Sequence, residues 1–244
     1  MSTNRLIGDV GNGMTTQKKQ LAGDPAAVVG WEPRRLAAVA PELPAGAVPP
    51  GTQGRILRAA LGLYSEYGFH GTSIRQIARQ VGINPATLYA HYPSKEQILA
   101  DLVLLGHREL HDRLCRALAS ADGAAAARLA ALVREHALIH ADYPLLAVVA
   151  NTELHVLSAE NAAAALDLRA RCRRFLADVL AEGARSGEFR LVDPTLTAIA
   201  IGGLGMQIAH WFGPGLRYTP EQVADAYMQL ALRMAGDTTA LTEG

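Results

Sequence analysis

Gly71–Ile98 reads GTSIRQIARQVGINPATLYAHYPSKEQI, and its caps predict three short helical pieces. Ser73 with Gln76 three residues on has the spacing of a capping box, in which each side chain satisfies a free N–H of the first turn. The helix passes through Ile77, Ala78 and Val81 and stops at Gly82, a residue that tolerates the left-handed turn ending a helix. Asn84 caps a second helix and Pro85 takes its first position, where a missing N–H costs nothing. Leu88 is its clearest inward residue, and Pro93 ends it by pushing the preceding residue out of the helical region. Ser94 and Gln97 repeat the capping-box spacing and open a third helix.

Two short helices joined by Val81-Gly82-Ile83-Asn84 make a helix-turn-helix, whose second helix fits the major groove of DNA. Thr87, Tyr89, His91 and Tyr92 offer it hydrogen-bonding and stacking groups, and Ala86 leaves room for a thymine methyl. Asn84 and Thr72 stand at its edges, with Arg75 and Lys95 placed for phosphates. The bland alternative is a helical hairpin with a polar face. Between Gly51 and Gln97 five basic residues (Arg55, Arg58, Arg75, Arg79, Lys95) face two acidic ones (Glu66, Glu96), a local balance of +3 in a chain of net charge zero. That local excess suits a phosphate backbone.

The segment resembles the N-terminal domain of the TetR-type transcriptional regulators. Ile56, Ala59, Ala60, Leu63, Gly68, Gly71, Thr72, Ile77, Ala78, Val81, Gly82, Leu88, Tyr89, Tyr92, Lys95 and Leu99 carry the match, most specifically Leu-Tyr-x-His-Tyr-x-Ser-Lys-Glu. Tyr92 stands where Phe is commoner. The close match covers about residues 52–99; beyond it the likeness is one of architecture.

Working outward, Ile56, Ala59, Ala60, Leu63 and Tyr64 form one apolar stripe of a helix from about Thr52 to Tyr67, stopped by Gly68. The helix from Ser94 is expected to reach Ala119. Further helices are expected at Ala124–Asp142, Pro144–Leu157, Asn161–Ser186, Asp193–Phe212 and Thr219–Met234. Alanine and leucine dominate a chain of 244 residues that is only 5% aromatic, which favours helix. The fold class is therefore all-α: an N-terminal three-helix DNA-binding domain (51–97) and a C-terminal helical bundle for ligand binding and dimerisation (98–236). Residues 1–50 hold six of the twelve prolines and no lasting period, so they read as a disordered extension. A short helix near Glu32–Val39, or a DNA-touching arm through Lys18, Lys19, Arg34 and Arg35, is the alternative. Residues 237–244 read as a tail.

The last two helices are apolar on more than one face, so they need cover on both sides. A homodimer through them, reading a palindromic operator in half-sites about 34–36 Å apart, meets that need, and the resemblance implies the same. No catalytic constellation is evident, so an enzyme is not expected, and a helical enzyme with an incidental helix-turn-helix is the alternative. No cofactor is expected. His107 with His111, and His136 with His140, share helix faces near Glu109, Asp112, Glu135 and Asp142, but the HExxH signature is absent and no metal is expected. Cys115 and Cys172 form no metal pair and read as helix-packing thiols, with redox sensing as the alternative. No run approaches the roughly 20 apolar residues of a membrane span, so a cytoplasmic protein without membrane contact is expected.

Leu138, Val149, Glu153, Phe175, Met206, His210 and Trp211, with Asn151 and His155, are candidate lining residues of a pocket in the bundle, though each suits an ordinary core. The run from Trp211 to Val223 resembles TetR-type regulators that respond to acyl-coenzyme A or lipid breakdown products. That likeness implies a small hydrophobic effector, with Arg169, Arg173 or Arg217 for its phosphates. A flat cationic compound opposite Glu153 is the competing class. The expected function is a repressor released from its operator by such an effector; an activator or a ligand-independent DNA binder of the same fold is the alternative.

Overall fold

The computed structural model describes residues 39–121 and 123–236. Among them are nine α-helices in the order α1 (Thr52–Gly71), α2 (Ile74–Val81), α3 (Pro85–His91), α4 (Lys95–Ser120), α5 (Ala125–Asp142), α6 (Pro144–Thr152), α7 (Ala159–Ser186), α8 (Pro194–Trp211) and α9 (Pro220–Met234). The readings made for residues 1–38 and 237–244 lie outside the described residues.

The local signals act as their chemistry requires. Ser73 and Gln76 close a full capping box on α2, and Thr219 with Gln222 does the same on α9. Asp193 caps α8 through Leu196 N at 2.7 Å. Gly82 takes φ 77 and ψ 34, a left-handed turn that a side chain would strain. The Ser94 box forms only by half: its hydroxyl accepts from Gln97 N (3.1 Å), while the Gln97 side chain bonds Asp101 (3.1 Å). In α1 the helix breaks at the expected Gly68 (φ 70, ψ 172), then gains one more turn before Thr72.

Three elements differ from expectation. The buried stripe of α1 is Ile56, Leu57, Ala60, Leu61 and Tyr64, while Ala59 and Leu63 are only partly buried. Pro144–Leu157 is not one helix: α6 ends at Thr152 and a 3-10 turn spans Leu154–Val156. Asn151 and Thr152 turn their side chains back to the carbonyls of Ala147 and Val148, a local bond that weakens helix continuation. Residues 39–50 include part of the expected disordered extension, yet Leu43 is buried in the core around α1 with Val39 and Val48 packed beside it.

That core joins α1, α2, α3 and the first half of α4 to Leu145, Leu146 and Val149 of α6 and to Ala162 and Ala165 of α7. A second core gathers α5, α9 and the ends of α4, α7 and α8. The helix-turn-helix is therefore packed directly onto the bundle.

Candidate functional site

Leu88, fully buried, is the one buried residue of α3. It pins a seven-residue helix whose other side chains face water. Arg75, Asn84, Ala86, Thr87, Tyr89 and His91 are all exposed, Tyr89 at 53%. Asn84 Oδ1 accepts from both the Thr87 amide (2.7 Å) and the Thr87 hydroxyl (3.0 Å), which orients the start of the face.

Three expected members of that face point elsewhere. Thr72 is buried, its hydroxyl shared between the carbonyls of Gly68 (2.9 Å) and Leu63 (3.2 Å), where it closes the break in α1. Tyr92 is buried too, and burial pushes its phenol up to about 12. Lys95 donates from Nζ to the carbonyls of Phe69 and Thr72, both at 2.7 Å, and lies 4.0 Å from the Phe69 ring centroid. Its ammonium is tied to the corner between α1 and α2, and partial burial lowers its pKa. The three residues hold the helix-turn-helix together from behind.

The bundle holds an open-sided cavity of about 820 Å³, within the roughly 300–1,000 Å³ of ligand sites. Leu110 and Leu114 of α4, Leu132 and Val133 of α5, Leu176 of α7, and Ile201 and Met206 of α8 supply apolar wall. His107, His136, His140, Asn151, Arg169, Cys172, Arg173 and Asp178 also line it. Gly205 gives His136 its place, because a Cβ there would collide with the imidazole.

Of the nine candidate lining residues, Met206 and Asn151 reach this cavity. Val149 is fully buried in the core of the head, and Leu138 packs near Phe212 and Val223. Glu153 caps the end of α6 beside Gly68. Phe175 meets His111 at 5.6 Å, and Trp211 stacks on Tyr227 at 6.5 Å. His210 and His155 are exposed, the latter bonded to the Thr152 carbonyl. Arg217 lies over Tyr218 in the loop before α9. The competing cationic-ligand reading loses its counter-charge with Glu153.

The missed residues are His107, His136 and His140. Their i, i+4 spacing was visible, but not the side of the helix that the cavity would occupy. Glu109 and Asp142, read as acidic companions, instead pair with Arg113 at 2.8 and 2.7 Å. Among the described residues no group of three His, Cys, Asp or Glu is placed to hold a metal. Arg171 pairs with Asp167 at 2.8 Å, whereas Arg169 and Arg173 have no ion pair among the described residues. Burial and the nearby Arg173 lower the Arg169 pKa. Burial pushes the Cys172 thiol up to about 12, opposite to a sensor thiolate.

Burial holds the His136 imidazole well below its ordinary range, with His140 adding to the effect. Burial also pushes His140 down to about 4. An imidazole with a depressed folded pKa contributes stability above its unfolded value of about 6.5 and loses it as pH falls towards the folded value. The unfolding midpoint is therefore expected to drop between about pH 7 and pH 5, before most carboxylates protonate. His140 alone accounts for about 2 kcal/mol at pH 5 by this linkage. A calorimetric midpoint flat over that interval would show that these rings are not held neutral.

Among the described residues no helix is long and apolar enough to cross a membrane. Known proteins match both halves of the chain. The family model of bacterial regulatory proteins of the tetR family matches residues 56–102, and that of the tetracyclin repressor-like C-terminal domain matches residues 122–235. The repressor KstR2 of Rhodococcus jostii is 25% identical over 183 residues, covering 75% of this chain and 90% of KstR2. The crystal structure of a tetR-family regulatory protein from Rhodococcus RHA1 superimposes with a TM-score of 0.72 at 32% identity, covering 78% of this chain and 100% of that one. AibR in complex with isovaleryl coenzyme A and operator DNA gives a TM-score of 0.65 at 27% identity, covering 72% and 95%. With its capped reading helix, its helical bundle and these matches over both, the chain belongs to the TetR family of DNA-binding transcriptional regulators and is not an enzyme.

Proposed function

We propose that the protein is a homodimeric repressor, released from a palindromic operator by a small hydrophobic effector that carries an anionic group. The observation that carries this reading is the cavity, whose walls are shared by α4 and α7. Apolar wall suits an acyl or ring body, and Arg169 and Arg173, which have no ion pair among the described residues, suit a carboxylate or phosphate. An acyl-coenzyme A has both parts, and AibR is a similar protein solved with one.

The six outward residues Arg75, Asn84, Ala86, Thr87, Tyr89 and His91 are the proposed DNA contacts. The proposed dimer surface is α8 and α9. Leu196, Ile199 and Leu204 are 64%, 65% and 41% exposed on α8, and Leu230 is 46% exposed on α9. A second copy would remove that apolar area from water.

Release follows from linkage. The first turn of α4 is joined to the start of α7, because Glu96 Oε1 accepts from Ser158 N (2.8 Å) and Asn161 Nδ2 (2.7 Å). A ligand that prefers one spacing of α4 and α7 biases the spacing of the two reading helices by its differential affinity. A coupling of about 1–3 kcal/mol changes operator affinity roughly 5- to 150-fold.

The test is a gel shift and footprint on the DNA upstream of its own gene, titrated with acyl-coenzyme A thioesters. Two protected half-sites, released by a thioester, are expected. A single unrepeated site, or operator affinity unmoved by a tightly bound thioester, would overturn the reading. In sedimentation the protein is expected at twice the 25.9 kDa of one chain, and the pair Leu196→Glu and Leu230→Glu shifts it to the monomer with loss of DNA binding. A monomeric parent protein would remove the dimer.

A further inference from the structure

His107 on α4, His140 on α5 and Asn151 on α6 share one arrangement. Each commits a donor to the carbonyl four residues back on its own helix. His107 Nδ1 donates to Val103 O at 2.9 Å, His140 Nδ1 to His136 O at 2.7 Å, and Asn151 Nδ2 to Ala147 O at 2.8 Å. A carbonyl oxygen only accepts, so the proton of each neutral imidazole sits on Nδ1 and its Nε2 is left as a lone-pair acceptor. Asn151 keeps its Oδ1 and one N–H. Neither Nε2 has a partner among the described residues, although His107 and His140 are only 5% and 3% exposed.

The same three side chains also line a side pocket of about 30 Å³, walled by Gly106, Tyr143 and Leu146. They therefore stand between the large cavity and a space for one or two heavy atoms. The chemistry of that corner is selective. An anion would face two imidazole lone pairs. A cation would meet Arg169, which is close enough to His107 to act on its charge. A neutral hydroxyl fits: it donates to an imidazole Nε2 and accepts the free N–H of Asn151.

We propose that this corner is a hydroxyl-recognition subsite, and that the effector carries, besides its anionic group, a hydroxyl that donates to Nε2 of His107 or His140. The inference rests on the reading of the cavity as the effector site. It narrows the ligand from any anionic amphiphile to a hydroxylated one.

The experiment is calorimetric titration of the full chain with matched probes: octanoate, dodecanoate and hexadecanoate against their 3-hydroxy and terminally hydroxylated counterparts, as free acids and as coenzyme A thioesters. At least one hydroxylated probe is expected to bind about tenfold tighter than its partner, the scale of one well-placed buried hydrogen bond. The preference is expected to vanish in His140→Leu. Asn151→Leu, at a partly exposed position, weakens it and serves if the histidine variant does not fold. In ¹⁵N spectra near pH 7 both histidines are expected as the Nδ1–H tautomer, with Nε2 shifting when the hydroxylated probe binds. Equal binding within every pair, or the Nε2–H tautomer, overturns the subsite and leaves the anionic-effector reading standing. Absence of binding by every probe, acid and thioester, overturns both.

Discussion

Tyr89→Ala is expected to abolish the gel shift while leaving the unfolding midpoint where it was. The ring stands in the middle of the outward face of α3, 53% exposed, and contributes little to the core behind it. A lost base contact costs about 1–3 kcal/mol per site. In a two-fold dimer the change occurs twice, so operator affinity falls at least about 30-fold, while a surface change of this kind moves stability by no more than about 0.5 kcal/mol. A competition gel shift and a thermal melt on the same preparation check both halves. Undiminished binding by a folded variant would remove α3 as the reading helix.

Its neighbour gives the opposite signature. Leu88→Ala is expected to lower stability by about 2–5 kcal/mol, the cost of deleting a large aliphatic side chain from a closed core. Leu88 is fully buried, and no other residue of α3 is. Seven residues do not sustain an isolated helix, so α3 depends on that one anchor. DNA binding falls as well, through loss of the folded head rather than loss of a contact. Denaturant titration followed by circular dichroism measures it, and a midpoint unchanged from the parent protein would show that α3 is held by something else. Together the adjacent pair separates what reads DNA from what holds the reader in place.

The contrast also marks which features were legible in the sequence. Ser73 with Gln76, Asn84 before Pro85, and Thr219 with Gln222 are read over three residues, and each cap forms. Gly68 and Gly82 interrupt helices at the expected positions because their positive φ is a property of the residue itself. The outward direction of Thr87, Tyr89 and His91 follows from the helical period once Leu88 is placed inside. Lys95 was not legible in this way. Its charge and its place beside the reading helix suggest a phosphate contact, yet its ammonium closes a corner 26 residues back in the chain.

The cavity shows the same boundary more sharply. Trp211, Phe175 and Val149 are the large apolar residues that a pocket would be expected to use, and all three are taken by packing partners outside it. His107, His140 and Arg169 line it instead. The sequence by itself determined the all-α class, the capped helix starts and the outward face of α3, because those depend on backbone geometry and side-chain chemistry within one or two helical turns. The tertiary structure alone decided which face of α4, α5, α7 and α8 borders empty space, and that Thr72, Tyr92 and Lys95 turn inward. Those outcomes depend on how helices distant in the chain pack together, and a helix with two apolar faces carries no local mark of which face meets a core and which a ligand.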